Sequence, residues 1–321
     1  MSDHLELRGL RADTAHGYLA ALGMMQALRR ASVSPRLAWS DEFTPHAILH
    51  GVDSFEHLVD AVLSDRDKRM SGVVLGYPQS NPFPTLARSP EEFTQWLDAV
   101  YEADIEEDPD VDLWCGLLIQ GGLTGKGWSR STIFDFTSGQ KHFLKIARSV
   151  GAGLDEGKLS EALIGPWKWE STESTLGFES SGQRLGALRA IPPGDDTTRG
   201  VPGADWLAFL GLAYYPLSLV PGRDRPRVVT PACDPTWDRS AFRWPVWRNP
   251  LTHREIAAVV THPGLVGSRV EERITSPEEL AAMGVQSVWQ CPIVHFGQGY
   301  GAFGPPARIE KAVERRTSTS G

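Results

Sequence analysis

The chain has 321 residues, 41% of them apolar, and a formal net charge of −8. That length can hold a large core, in one complex domain or two smaller ones, and the acidic balance excludes a protein that coats nucleic acid unaided. No apolar run approaches the ~20 residues that cross a bilayer, and the N-terminus is acidic and strand-like where a signal peptide would be basic and then apolar.

In chain order, "LELRGLR" alternates as a strand does. A turn through Asp13 and Thr14 leads into "GYLAALGMMQALRRA", where Tyr18, Leu22 and Met25 recur at helical spacing and Ala20, Ala21 and Gly23 permit close packing. "PRLAWS" reads as a second strand, so the chain opens strand, helix, strand. A helix follows over "DSFEHLVDAVLSD", and "GYPQSNPFPTLARSP" is loop by its prolines. Ser89, Pro90 and Glu92 supply a cap, a first-turn proline and a capping-box acid. The same start recurs at Ser276, Pro277 and Glu279. "DLWCGLLIQGG" is an apolar strand or a buried helix end, and "EGKLSEALIGPW" is a short helix stopped by Gly165 and Pro166. "ADWLAFLGLAYYPLSLV" is a buried helix that Pro216 ends or kinks. "RVVTPAC", "SAFRWPVWRNP" and "SVWQCPIVHFG" are strands with edges and bends, because proline sits within them. "LTHREIAAVVTHPG" is a helix between the last two. Without strict alternation this mixture predicts an α+β fold with mostly antiparallel strands. "IPPGDDTTRGVPG" divides it into an N-terminal α+β region (1–190), a linker (191–203) and a C-terminal α+β region (204–312), with a disordered tail (313–321).

Charge is segregated along the chain. "EADIEEDPDVD", Glu102 to Asp112, holds seven acids and no base. Leu113 to Arg148 carries Lys126, Arg130, Lys141, Lys145 and Arg148 against Asp135 alone. Gly222 to Arg254 holds seven arginines and three aspartates. Such blocks make a local anion-binding field, or the acidic segment folds over the basic one. Within "TIFDFTSGQKHFLKIARSV", Thr137 and Gln140 have capping-box spacing. Phe143, Ile146, Ala147 and Val150 then fall on one helix face, and Lys141, Lys145 and Arg148 on the other.

Other chemical readings are thin. "QGGLTGKGWS" is not a phosphate loop, because Gln120 stands where the first glycine belongs and Gly127 follows Lys126; its glycines can still offer amides to an anion or serve as a connector. His46, His50 and His57 lack acids at ligand spacing, and His253 and His262 are too far apart on their helix to share a metal. Cys115, Cys233 and Cys291 are far apart and fit no metal spacing, from which a reducing, cytoplasmic location is expected. There is no nucleophile elbow and no catalytic-cysteine signature. In "DRSAFRWPVWRNP", Arg239, Arg243 and Arg248 interleave with Phe242, Trp244 and Trp247, a mixture that suits single-stranded nucleic acid if it is exposed and a covered core if it is not. Alternation expects Phe242, Trp244 and Val246 inside, with Arg243, Pro245 and Trp247 outside.

Several of these segments together resemble CRISPR-associated effector subunits of the type I-U (I-G) systems. "LRGLRADTAHGYLAALGMMQALRRASVSPRLAWS" is similar to their opening, "FDFTSGQKHFLKIAR" to their "DFTSGQ-x-x-F-L" segment, "EALIGPWKWE" to their "GPW" element and "FRWPVWRNPL" to a Trp-Pro element near the C-terminus. After "GPW" the chain has "TLGFESSGQRLGALRAIPP" in place of an acidic-proline and aspartate–arginine pattern, which leaves the particular subunit open. The resemblance implies a non-catalytic subunit or accessory protein of an RNA-guided antiviral complex, with other effector subunits and guide RNA or target DNA as partners and no membrane. The expected nucleic-acid contacts are Lys126, Arg130, Lys141, Lys145, Arg148, Arg243, Trp247 and Arg248, with no catalytic residue, metal ligand or cofactor. The alternatives are an enzyme with its site in the glycine-rich loop 121–127, and a protein-interaction scaffold without nucleic acid.

Overall fold

The computed structural model describes residues 4–76, 86, 88–102, 110–123, 129–137, 142–179, 199–222, 226–234, 240–266, 276–295 and 301–309. The alternating first segment forms β1 (His4–Arg11), and the turn after it delivers Thr14 as the cap of α1 (Ala15–Ala27). The Thr14 hydroxyl oxygen accepts from the Gly17 amide at 3.1 Å, which satisfies one of the unpaired amides of the first turn. β2 (Arg36–Trp39) follows, and then β3 (His46–His50), which sequence patterning does not reveal. β3 is the middle strand of an antiparallel sheet ordered β1-β3-β2.

α2 (Phe55–Ser71) runs longer than expected, and α3 (Pro90–Glu102) begins with the predicted capping box: the Ser89 amide donates to Glu92 Oε2 at 3.0 Å and the Glu92 amide to Ser89 Oγ at 3.3 Å. "DLWCGLLIQGG" divides between α4 (Asp110–Leu117) and β4 (Leu118–Leu123), which pairs with β5 (Ser129–Ser131). The basic helix, α5 (Phe143–Ala152), starts later than its capping-box spacing predicts. His142 is its cap residue, and Thr137 instead donates both its amide and its hydroxyl to Asp135 Oδ1. The half-buried Asp135 carboxylate needs donors, and Thr137 supplies two. α6 (Glu156–Ile164) ends at Gly165, as expected.

α7 (Pro202–Gly211) and α1 are buried along their whole lengths and cross each other. A Cβ on Gly23 would come within 1.6 Å of the Leu207 carbonyl oxygen, and one on Gly211 within 2.2 Å of the Leu19 carbonyl oxygen. Only glycine lets two helix backbones meet this closely. Beyond α7 lie the hairpin of β6 (Ser218–Val220) and β7 (Arg227–Val229), then β8 (Ala241–Trp247), α8 (His253–Val260) and α9 (Pro277–Ala282). Ser276 precedes α9 as expected, but its side chain makes no capping bond. β9 (Val285–His295) pairs with β8 on one side and with β10 (Gly301–Phe303) and β11 (Ala307–Ile309) along the other. Pro245 thus sits in an edge strand, where a missing amide costs no ladder bond.

The fold is α+β: nine α-helices and antiparallel sheets among the described residues. One cluster of buried apolar side chains runs from Leu7 to Ile309. The regions 1–190 and 204–312 therefore share a core, and the α1–α7 crossing joins them. Of the expected linker, 191–198 lie outside the described residues and Val201 is buried. The tail 313–321 also lies outside them. Among the described residues no helix is long and apolar enough to cross a membrane.

Candidate functional site

Each of the two central helices carries an ionisable residue in a largely apolar setting. His16 lies in the first turn of α1 and Asp205 near the start of α7. Where the helices cross, His16 Nε2 stands 3.3 Å from Asp205 Oδ1, with His16 3% and Asp205 1% exposed. Burial pushes the Asp205 carboxyl pKa up; His16 draws it down and the neighbouring Glu179 raises it further. Glu179 is itself buried, and its Oε1 accepts from the Thr175 hydroxyl at 3.1 Å.

His16 and Glu179 face a cavity of about 470 Å³. Trp167 and Trp169, with ring centroids 5.4 Å apart, line it together with Phe178 and Phe303. The rings crowd His16, with Trp167 at 4.9 Å and Phe178 at 6.0 Å. Trp167 is fixed by its indole N–H, which donates to the Ala162 carbonyl at 3.0 Å on the last turn of α6. Trp169 is held at φ 56°, a left-handed backbone that non-glycine residues adopt rarely and mostly where the surroundings impose it. Gly9 lets β1 press on α6, since a Cβ there would lie 2.3 Å from the Ala162 oxygen. This close approach sets Arg8 and Arg11 of β1 beside the tryptophan segment. Both guanidinium groups are at least half exposed: Arg8 donates to Glu6 at 2.7 Å, and Arg11 to both oxygens of Asp13 at 2.9 and 2.5 Å.

The nucleic-acid contacts expected from sequence fare differently. Lys145 and Arg148 are exposed on α5, whose Phe143, Ile146, Ala147 and Val150 are buried as the stripe predicts. Neither base has an ion-pair partner among the described residues. Lys126 and Lys141 lie outside the described residues, as does most of the glycine-rich loop, and the Arg130 backbone is in β5 with its side chain outside them. Two acids of the segment that could fold over this helix are engaged elsewhere: Asp110 with Arg69 at 3.0 Å and Asp112 with Arg29. Arg248 is exposed but ion-paired with Asp41.

Arg243 and Trp247 require correction. Both are buried, at 4% and 0% exposure. A register shift between Val246 and Trp247 breaks the alternation and turns Trp247 toward the same core as Trp244. Its indole lies 6.1 Å from that of Trp39. Arg243 is covered by the chain before β8 and pairs with Asp234 at 2.8 and 3.1 Å. Neither is an exposed platform for a strand.

Sequence patterning does not reveal the cavity. It treats His16 and Asp205 only as parts of apolar helices, and Trp167 and Trp169 only as part of a motif. The available signal is chemical: one acid and one histidine near the starts of two largely apolar helices need each other to be buried. Among the described residues no group of three or more His, Cys, Asp or Glu side chains is arranged to hold a metal ion. No protein-family model matches the chain, and no curated protein aligns with it.

Proposed function

We propose that the protein is a non-catalytic subunit of an RNA-guided antiviral surveillance complex and that it holds an RNA or DNA backbone. The carrying observation is α5: its apolar face is fixed in the core while Lys145 and Arg148 project outward with no acid paired to them among the described residues. A rigid helix with two uncompensated cations supports phosphate contact without base reading. The "DFTSGQ" resemblance falls on the same segment. The acidic remainder of the chain faces protein neighbours and keeps nonspecific binding low.

The test is a salt titration of single-stranded binding. Lys145→Glu with Arg148→Glu should weaken binding across sequences and flatten the slope of log affinity against log salt by about 0.7 for each phosphate no longer neutralised. An unchanged slope in a variant with native circular dichroism removes α5 from the interface.

A further inference from the structure

We propose that the cavity between β1, the start of α1 and the Trp167–Glu179 segment binds one nucleoside monophosphate unit, either free or unstacked from a single strand. Four features of the cavity converge on this chemistry, and none of them involves α5.

Its volume, about 470 Å³, falls in the range of small-molecule sites. Its walls are flat rings, Trp167, Trp169, Phe178 and Phe303, which stack on any base because every base has a π-face. Its floor is polar and buried. His16 is 3% exposed, and neither of its ring nitrogens has a hydrogen-bond partner among the described residues. A buried ring nitrogen without a partner is costly, and a ligand N–H satisfies it. The floor thus presents a buried hydrogen-bonding group with no partner among the described residues, which the polar edge of a base would satisfy.

The mouth carries two guanidinium groups. Arg8 pairs with Glu6 and, at 3.6 Å, with Glu42, and Arg11 pairs with Asp13; their hydrogen bonds to Glu6 and Asp13 use one and two donors respectively of the five on each guanidinium. The remaining donors suit a phosphate. A ligand with a ring, a hydrogen-bonding inner edge and an anion at its outer end is a nucleotide.

The test uses the full-length protein, titrated with each of the four nucleoside monophosphates, with the matching nucleosides and with a short single-stranded oligonucleotide. Binding is read by tryptophan fluorescence and by calorimetry. Nucleoside monophosphates should bind and quench, and Trp169→Ala should weaken them about tenfold or more. Arg8→Gln, a surface change that leaves the core intact, should weaken the monophosphate but not the nucleoside. Binding of the monophosphate alone identifies a free nucleotide as the occupant. Trp169-dependent binding of the oligonucleotide identifies an unstacked strand unit. Lys145→Glu with Arg148→Glu should leave mononucleotide binding unchanged, so failure of the α5 reading and failure of the cavity reading are separable. Absence of binding by monophosphate and oligonucleotide alike, or binding indifferent to both Trp169→Ala and Arg8→Gln in folded protein, overturns the proposal.

Discussion

Trp247, in the last position of β8, donates its indole N–H to the Leu37 carbonyl of β2 at 2.8 Å. Trp244, on the same strand, donates to the Ala12 carbonyl at 2.7 Å. The two tryptophans thus tie the C-terminal sheet to the opening strand–helix–strand unit. Trp247→Ala and Trp244→Ala should each cost about 3–5 kcal/mol, the usual loss for a large buried aromatic. Urea melts of the two variants check this. A Trp247→Ala protein that melts like the wild type would return this residue to the surface.

The helix crossing predicts a sharp contrast among glycines. Gly23→Ala places a methyl 1.6 Å from backbone oxygen and should cost about 3 kcal/mol or more, at or above the upper end for overpacking. Gly157→Ala, in α6, meets nothing nearer than Asp155 Oδ1 at 3.3 Å. It should be neutral or stabilising by about 0.5–1 kcal/mol, since alanine restricts the unfolded chain. Equal melting temperatures for the two variants would contradict the crossing.

Arg69 is fully buried in α2, donating to Asp65 at 2.6 Å and to Asp110 at 3.0 Å. Asp110 also accepts from the Val74 amide at 3.2 Å. Asp110→Ala removes one counter-charge and one acceptor at once, and should cost about 3–5 kcal/mol. Asp110→Asn keeps an acceptor oxygen and should cost less. Chemical denaturation of the pair settles the order.

His253 gives the chain an acid sensitivity. Its ring pKa is lowered from 6.5 to about 4, first by burial and then by Arg29 and Arg254. Its Nε2 lies 2.7 Å from Gln26 Oε1. Between those pH values the unfolded chain binds a proton that the folded chain refuses, so stability falls as pH drops through the window. After discounting for the partly solvent-reached ring, the loss is about 1–2 kcal/mol. The drop in melting temperature from about pH 7 to about pH 4.5 should shrink in His253→Gln. An identical drop in both proteins assigns the effect to other groups.

The opening strand–helix–strand unit is legible in the sequence because its residues follow clean periods: two in "LELRGLR" and helical in "GYLAALGMMQALRRA". β3 is not, because "HAILH" is five residues long, too short for a period of two to stand out. Alternation misplaces Trp247 because it assumes an unbroken ladder, and a register shift depends on the partner strand, which the sequence of β8 does not contain. The cavity is illegible for the same reason on a larger scale. Arg8, His16, Trp169 and Phe303 meet through four separate elements, and no local pattern announces that they converge.

The α1–α7 crossing also sets a timetable for synthesis. Ala27 ends α1 and Pro202 begins α7, a separation of 175 positions (202 − 27). At about 5–20 residues per second, the ribosome needs about 10–35 s to bridge that interval. Throughout it, a helix destined for burial on every face lacks the surface that covers it. A nascent chain stalled before Pro202 should therefore be held by chaperones or lost to aggregation, and resistance to protease should arise only after both α7 and β8, whose Trp244 and Trp247 pack on Tyr18 of α1, have left the exit tunnel.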